Sequence, residues 1–206
     1  MRLFSDESGV KDSTNKNSHL ARDAALANTP IDHKSLMAQA LAVARKSIYI
    51  PSAFCVGAII TTPSGAILST GYSREQPGNT HAEQVAISKL LSSSSPVPGQ
   101  AAIYTTMEPC NIRLSRNKSC VDRILECGWV KKVYVGVMEP ADFVENGGKA
   151  RLEAAGIEYQ LVEGLEEECL GVARGEGRKE TEKESEDMVT QEADESEAQV
   201  PVSLPI

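Results

Sequence analysis

The stretch CVDRILECGWVKKVYVGV, Cys120 to Val137, decides the fold. Its first eight residues, Cys120 to Cys127, read as a helix opened by Ser119, a residue type whose hydroxyl satisfies amides left free at a helix start. Gly128 stands where a left-handed residue commonly closes a helix, and Lys132 to Val137 reads as a strand. Ala101 to Thr105 is a strand before this unit. After it come a helix from Ala150 to Ala155, a second closing glycine at Gly156, and a strand from Ile157 to Val162. Strand and helix alternating in this way imply parallel pairing with helices on both faces of a sheet.

Upstream, Cys55 to Thr61 and Ala66 to Tyr72 read as two strands joined at Pro63-Ser64-Gly65, a hairpin turn. A helix follows from His81, with Ala82, Val85, Ala86, Ile87, Leu90 and Leu91 as its apolar side; Ser92 to Ser95 with Pro96, Pro98 and Gly99 end it. An earlier helix begins after Asp32, an N-cap, and carries Leu36, Met37, Ala40, Leu41, Val43 and Ala44 at helical spacing. A short helix from Leu165 to Val172 closes the core. The expected architecture is α/β: a three-layer α/β/α sandwich around a mixed five-stranded sheet.

With 206 residues and 41% hydrophobic content, the chain can form one domain burying roughly 70% of its unfolded surface. No run approaches the roughly 18 apolar residues of a membrane span, and the N-terminus lacks the apolar core of a secretory signal. A cytoplasmic protein that contacts no membrane is expected. Five cysteines without framework-like spacing suit a reducing compartment. The net charge of −8 argues against a nucleic-acid partner, because surfaces that track phosphates are basic. Most of it sits at one end: from Arg174 onward there are ten acids and four bases. That tail, 174–206, has too little apolar content to offset the entropy of ordering it. Residues 1–31 show no periodicity and read as a flexible N-terminal segment, leaving 32–173 as the folded domain.

Chemistry concentrates in Asn79-Thr80-His81-Ala82-Glu83, Glu108-Pro109-Cys110 and Cys120. One imidazole and two thiolates supply three of zinc's four tetrahedral positions and leave the last for water, as catalytic zinc sites do. Together these residues resemble the zinc deaminase signature, and the resemblance implies Zn2+ as the cofactor with His81, Cys110 and Cys120 as its ligands. Residues two apart diverge in mid-helix but can both serve a target at a helix start, so Thr80 is expected as the N-cap. Ser119 places Cys120 at another helix start, where partial positive charge favours the thiolate. Glu83 is the expected catalytic proton carrier and not a ligand. A competing reading makes Thr80-x-x-Glu83 a capping box. The joint occurrence of all these residues in order outweighs it, and their pattern resembles the zinc deaminase signature.

The two cysteines enclose nine residues, Asn111 to Ser119, including Arg113, Arg116 and Lys118. Arginine and lysine suit a phosphate, by fork geometry and by point charge respectively. Over Asp32 to Leu170 the chain resembles the deaminase domain of riboflavin biosynthesis, especially its fungal form. The stretches carrying the resemblance are Thr80-His81-Ala82-Glu83, Met107-Glu108-Pro109-Cys110 with Arg113-Leu114-Ser115 and Ser119-Cys120-Val121-Asp122-Arg123-Ile124, and Gly136-Val137-Met138-Glu139-Pro140. The resemblance implies a zinc-dependent aminohydrolase, of cytidine deaminase-like fold, acting on 2,5-diamino-6-ribitylamino-pyrimidinone 5'-phosphate. Proteins of this kind are commonly dimers or larger, so a homodimer is expected. Phe54, at the entry of the first strand, is an expected stacking partner for the base, and Asn79 has an amide suited to a pyrimidine edge. Arg113, Ser115 and Lys118 complete the expected substrate contacts. The alternatives are deamination of cytosine or cytidine, or of tRNA adenosine, and a non-catalytic zinc scaffold of the same fold. Acidity and the long cysteine loop disfavour tRNA, and the presence of Glu83 disfavours the scaffold.

Overall fold

Two strand runs lie on either side of Pro63-Ser64-Gly65, and the chain between them turns back on itself through short hydrogen bonds. Thr62 donates its amide to the Ala66 carbonyl at 2.8 Å, and the Thr62 and Ser64 hydroxyls lie 2.8 Å apart. The structure, a computed structural model, describes residues 30–93, 97, 99–113, 117–138 and 147–176. The N-terminal segment through residue 29 and the acidic tail from 177 lie outside the described residues. A unit boundary falls after Asp32, and the fold below is that of the second unit.

Its elements are α1 (His33–Ala44), β1 (Gly57–Thr61), β2 (Ile67–Tyr72), α2 (Ala82–Ser92), β3 (Ala101–Thr105), α3 (Cys120–Cys127), β4 (Val130–Val135), α4 (Gly148–Ala154), β5 (Glu158–Leu161) and α5 (Glu166–Ala173). The sheet order is β2-β1-β3-β4-β5. β1 runs antiparallel to both β2 and β3, whereas β3, β4 and β5 are mutually parallel. This is the mixed five-stranded α/β sheet that the alternation implied.

Side chains alternate between the two faces, as the strand repeat requires. Ala58 and Ile60 of β1, Ala101 and Ile103 of β3, and Val133 and Val135 of β4 form one core with Ala82, Ala86, Ile87 and Leu90 of α2, Val121 and Ile124 of α3, and Leu152 of α4. Tyr104 points the other way, stacking on Tyr134 with ring centroids 4.5 Å apart and lying 2.8 Å from Nδ1 of His33 in α1. α1 also packs on α5.

The strand Ala101–Thr105 and the helix Cys120–Cys127 fall where expected, and Gly128 and Gly156 are left-handed at φ 64° and 76°. β4 begins and ends two residues earlier than expected. Val137 leaves the ladder because its carbonyl accepts the Glu108 amide at 2.9 Å, fixing the chain just before Cys110. Leu91, counted in the apolar side of α2, is 59% exposed, and the carboxylate of Glu83 is buried on that side.

α2 lies close against β2 because Gly71 has no side chain. A Cβ there would overlap the Ala82 carbonyl oxygen and stand 2.5 Å from the Ala86 nitrogen. Both obstacles are backbone, so they cannot swing aside. Gly71→Val is expected to destabilise the fold by at least about 1–3 kcal/mol, read as a lower melting temperature by calorimetry.

Candidate active site

α2 starts directly after His81, which is its N-cap in extended conformation, φ −89° and ψ 156°, with no side-chain cap bond. Thr80, the expected cap, has another task. Its hydroxyl accepts the Gln76 amide at 3.2 Å and donates to the Gln76 carbonyl at 2.9 Å, closing the preceding loop. The imidazole at the cap position is left free to project past the helix end. Arg74 holds this loop from outside: its amide donates to the Thr80 carbonyl at 2.7 Å, and its guanidinium reaches the Ile48 and Phe54 carbonyls.

Ser119 caps α3 as expected, accepting the Asp122 amide at 3.1 Å while its hydroxyl donates to the Asp122 carboxylate at 2.8 Å. Cys120 therefore stands in the first turn, and its amide donates to the Cys110 sulfur at 3.4 Å. Nδ1 of His81 lies 3.5 Å from the Cys110 sulfur and 3.3 Å from that of Cys120. All three donor atoms lie within 4.8 Å of one another. Tetrahedral zinc with ordinary Zn–N and Zn–S bonds needs a nitrogen–sulfur separation of about 3.6 Å, so the donor set fits that ion. Cys120 is buried, while His81 and Cys110 are half-buried, which leaves the cluster open on one side.

Glu83 is 3% exposed and turns inward. One carboxylate oxygen accepts the Thr105 hydroxyl at 3.0 Å, and the other lies 3.3 Å from the Cys120 sulfur. The carboxylate does not reach back toward Thr80, so Thr80 and Glu83 form no capping box. Burial pushes the Glu83 carboxyl above its ordinary range; charge on Cys110 adds to this and His81 opposes it. Of the two thiols, Cys110 is held low, first by its hydrogen bond with Cys120 and also by His81, so it is the one that ionises readily. The same bond, then burial, raises Cys120.

The expected substrate contacts fall differently. Arg113 is 8% exposed, and its guanidinium donates to Oε1 of Gln84 at 3.0 Å and to the Asn79 carbonyl at 2.8 Å, reaching the start of α2. Asn79 is left-handed at φ 51°, and its side chain is exposed. Phe54 is half-buried three residues before β1. Lys118 lies in an exposed ion pair with Glu126 at 2.6 Å. Ser115 lies outside the described residues. Thr105 and Gln84 did not emerge from the sequence motifs. The signal for Thr105 is its hydroxyl, on the same side of the strand as the apolar core residues Ala101 and Ile103.

Comparison with known proteins agrees with this geometry. Residues 30–137 match the family described as the cytidine and deoxycytidylate deaminase zinc-binding region. The diaminohydroxyphosphoribosylamino-pyrimidine deaminase of Schizosaccharomyces pombe is 44% identical over 142 residues, 68% of this chain and 35% of that protein. The chain thus spans about a third of the length of this curated relative. The Aspergillus oryzae Rib2 deaminase, solved in complex with DARIPP as a C-terminal deletion mutant, is 37% identical with a TM-score of 0.62 over 69% of this chain and 90% of that one. A deaminase/reductase of Thermotoga maritima superimposes with a TM-score of 0.58 at 28% identity, over 68% of this chain and 38% of that one. The matched region contains His81, Cys110 and Cys120, and the chain belongs to the cytidine and deoxycytidylate deaminase zinc-binding family.

Proposed function

We propose that this chain hydrolytically removes the 2-amino group of 2,5-diamino-6-ribitylamino-pyrimidinone 5'-phosphate, releasing ammonia and the corresponding pyrimidinedione. The observation that carries the reading is a carboxylate, Glu83, buried beside three zinc-type donors but outside their set. A purely structural zinc site has no use for such a group. The open side of the cluster leaves access for a substrate.

His81, Cys110 and Cys120 would hold zinc, which when bound acts as a Lewis acid and makes a water nucleophilic at neutral pH. Glu83 takes one proton from the attacking water and passes it to the ring nitrogen, then takes the second from the added hydroxyl and passes it to the departing amine. Atoms balance: water supplies the oxygen that replaces the amine, one hydrogen to the ring nitrogen and one to the ammonia that leaves. At the start of α3 the Cys120 amide donates to the Cys110 sulfur at 3.4 Å, where the partial positive charge of the helix end favours the thiolate.

Arg113 supports a phosphate on the substrate. Its two acceptors are neutral, and among the described residues no carboxylate balances this buried cation. A buried charge is costly unless paired, and a phosphate monoester would pair it. The DARIPP complex of the Aspergillus relative supports a small-molecule pyrimidine phosphate as the substrate class. Phe54 and Asn79 remain the proposed contacts to the base. Lys118 would have to leave Glu126 to reach a phosphate, so Arg113 is the better supported anchor.

The test is ammonia release by purified protein offered a panel of pyrimidine and purine amines, with and without a 5'-phosphate. Turnover of the ribitylamino pyrimidine phosphate above all others is the expected result; turnover confined to cytidine or to tRNA adenosine refutes the assignment. Arg113→Gln is expected to raise KM about tenfold or more for the phosphorylated substrate, the signature of lost uniform binding. An equal change on the dephosphorylated compound would rule out the phosphate contact.

A further inference from the structure

We propose that Thr105 is a positioning residue for Glu83, holding the carboxylate in the orientation that proton transfer requires. The inference rests on the deaminase reading above and goes beyond it to a residue that neither the motif nor the metal set includes. Thr105 ends β3, is fully buried, and faces the start of α2. Ala101 and Ile103, on the same side of the strand, are apolar core residues, so valine would meet the packing demand at 105. A buried hydroxyl is costly unless bonded, and this one is bonded at the reaction centre. Its oxygen lies 3.0 Å from Oε1 of Glu83 and 2.9 Å from the Met107 carbonyl oxygen.

The other carboxylate oxygen of Glu83 lies against the Cys120 sulfur. As a metal ligand that sulfur is a thiolate and has no hydrogen to give. Thr105 is then the one side-chain donor left to the Glu83 carboxylate among the described residues.

A hydroxyl has one hydrogen and can also accept. When Glu83 is a carboxylate, Thr105 donates to it. When Glu83 carries the proton in mid-turnover on Oε2, the oxygen beside the Cys120 sulfur, Oε1 still accepts the same threonine hydrogen. Both arrangements use the same heavy-atom positions, so Glu83 need not reorient between receiving and delivering the proton. Thr106, the next residue, is committed elsewhere, its hydroxyl accepting the Gly57 amide at 3.1 Å.

The test compares wild type, Thr105→Val and Thr105→Ser for zinc content, melting temperature, steady-state kinetics and the crystallographic orientation of Glu83. Valine keeps the shape and removes the hydroxyl; serine restores it. The expected result for Thr105→Val is full zinc, a kcat lower by on the order of tenfold to a hundredfold, and KM within about twofold. Its Glu83 carboxylate loses its single orientation. Serine is expected to recover kcat to within about fivefold and to restore that orientation. Unchanged kcat in Thr105→Val, or a fall that serine does not reverse, overturns the inference. So does a drop that tracks loss of zinc or of the folded state in both variants. If wild type releases no ammonia from any amine, the deaminase reading fails, and the orientation of Glu83 in the variants still decides the role of Thr105.

Discussion

Glu83→Gln is expected to lower ammonia release by about 10² to 10⁴ while zinc stays at one ion per chain. Glutamine is nearly isosteric and can still accept from the Thr105 hydroxyl, which lies 3.0 Å from Oε1. The three metal donors lie within 4.8 Å of one another without it. Only the capacity to take and return a proton is lost, so kcat falls and KM changes little. Unchanged turnover, with zinc measured in the same sample, would remove Glu83 from the mechanism. A second signature belongs to the metal-free protein. Burial raises the Glu83 carboxyl above its ordinary 4.5, so the unfolded chain loses that proton first as pH rises. The resulting destabilisation is absent in acid below the unfolded value, and it is complete once the pH passes the folded value. Metal-free Glu83→Gln should therefore melt above metal-free wild type at neutral pH, and the two curves should converge in acid.

Cys120→Ala is expected to abolish both zinc and activity. Cys120 is 1% exposed, so no neighbouring water or side chain can easily replace its sulfur. Its sulfur lies 3.3 Å from Nδ1 of His81, and its amide donates to the Cys110 sulfur, so the helix start that carries it touches both other donors. Elemental analysis should return background metal. The melting temperature should fall to that of chelator-treated wild type. A ligand present at about a thousand times its Kd contributes about 4 kcal/mol to apparent stability, so the fall should be large. Cys127→Ser is the control: Cys127 is half-buried, packs at the edge of the core and lies outside the donor set, and it should keep its zinc. Metal retained in Cys120→Ala would remove that sulfur from the ligand set.

The parts of the fold that local chemistry dictates were legible in the residues. Ser119 announced the start of α3 because a hydroxyl before an apolar periodic run has one efficient use, and the Asp122 amide occupies it. The end of β4 was not legible, because the departure of Val137 depends on Glu108, a residue nearly thirty positions earlier that needs its carbonyl. The role of Thr80 is ambiguous in sequence for a similar reason: a threonine before a helix can cap it or fasten the loop behind it, and here the bond to Gln76 wins. At the site, residue type and order singled out His81, Cys110, Cys120 and Glu83, which the fold brings together. Their support was not. The placing of Thr105 beneath Glu83, and of Gln84 and the Asn79 carbonyl around Arg113, follows from how β3 and α2 pack. No spacing rule within one segment encodes that.

The amino ends of α2 and α3 meet at the three donors. Part of the field there comes from peptide groups, and these are beyond the reach of side-chain replacement. Evolution could thus exchange nitrogen for sulfur at one corner and keep a working electrostatic background. Removing the first turn of either helix would carry those peptide groups away from the donors. In this architecture a donor atom can be exchanged by a point mutation, whereas the peptide groups behind it can be changed only by moving the main chain.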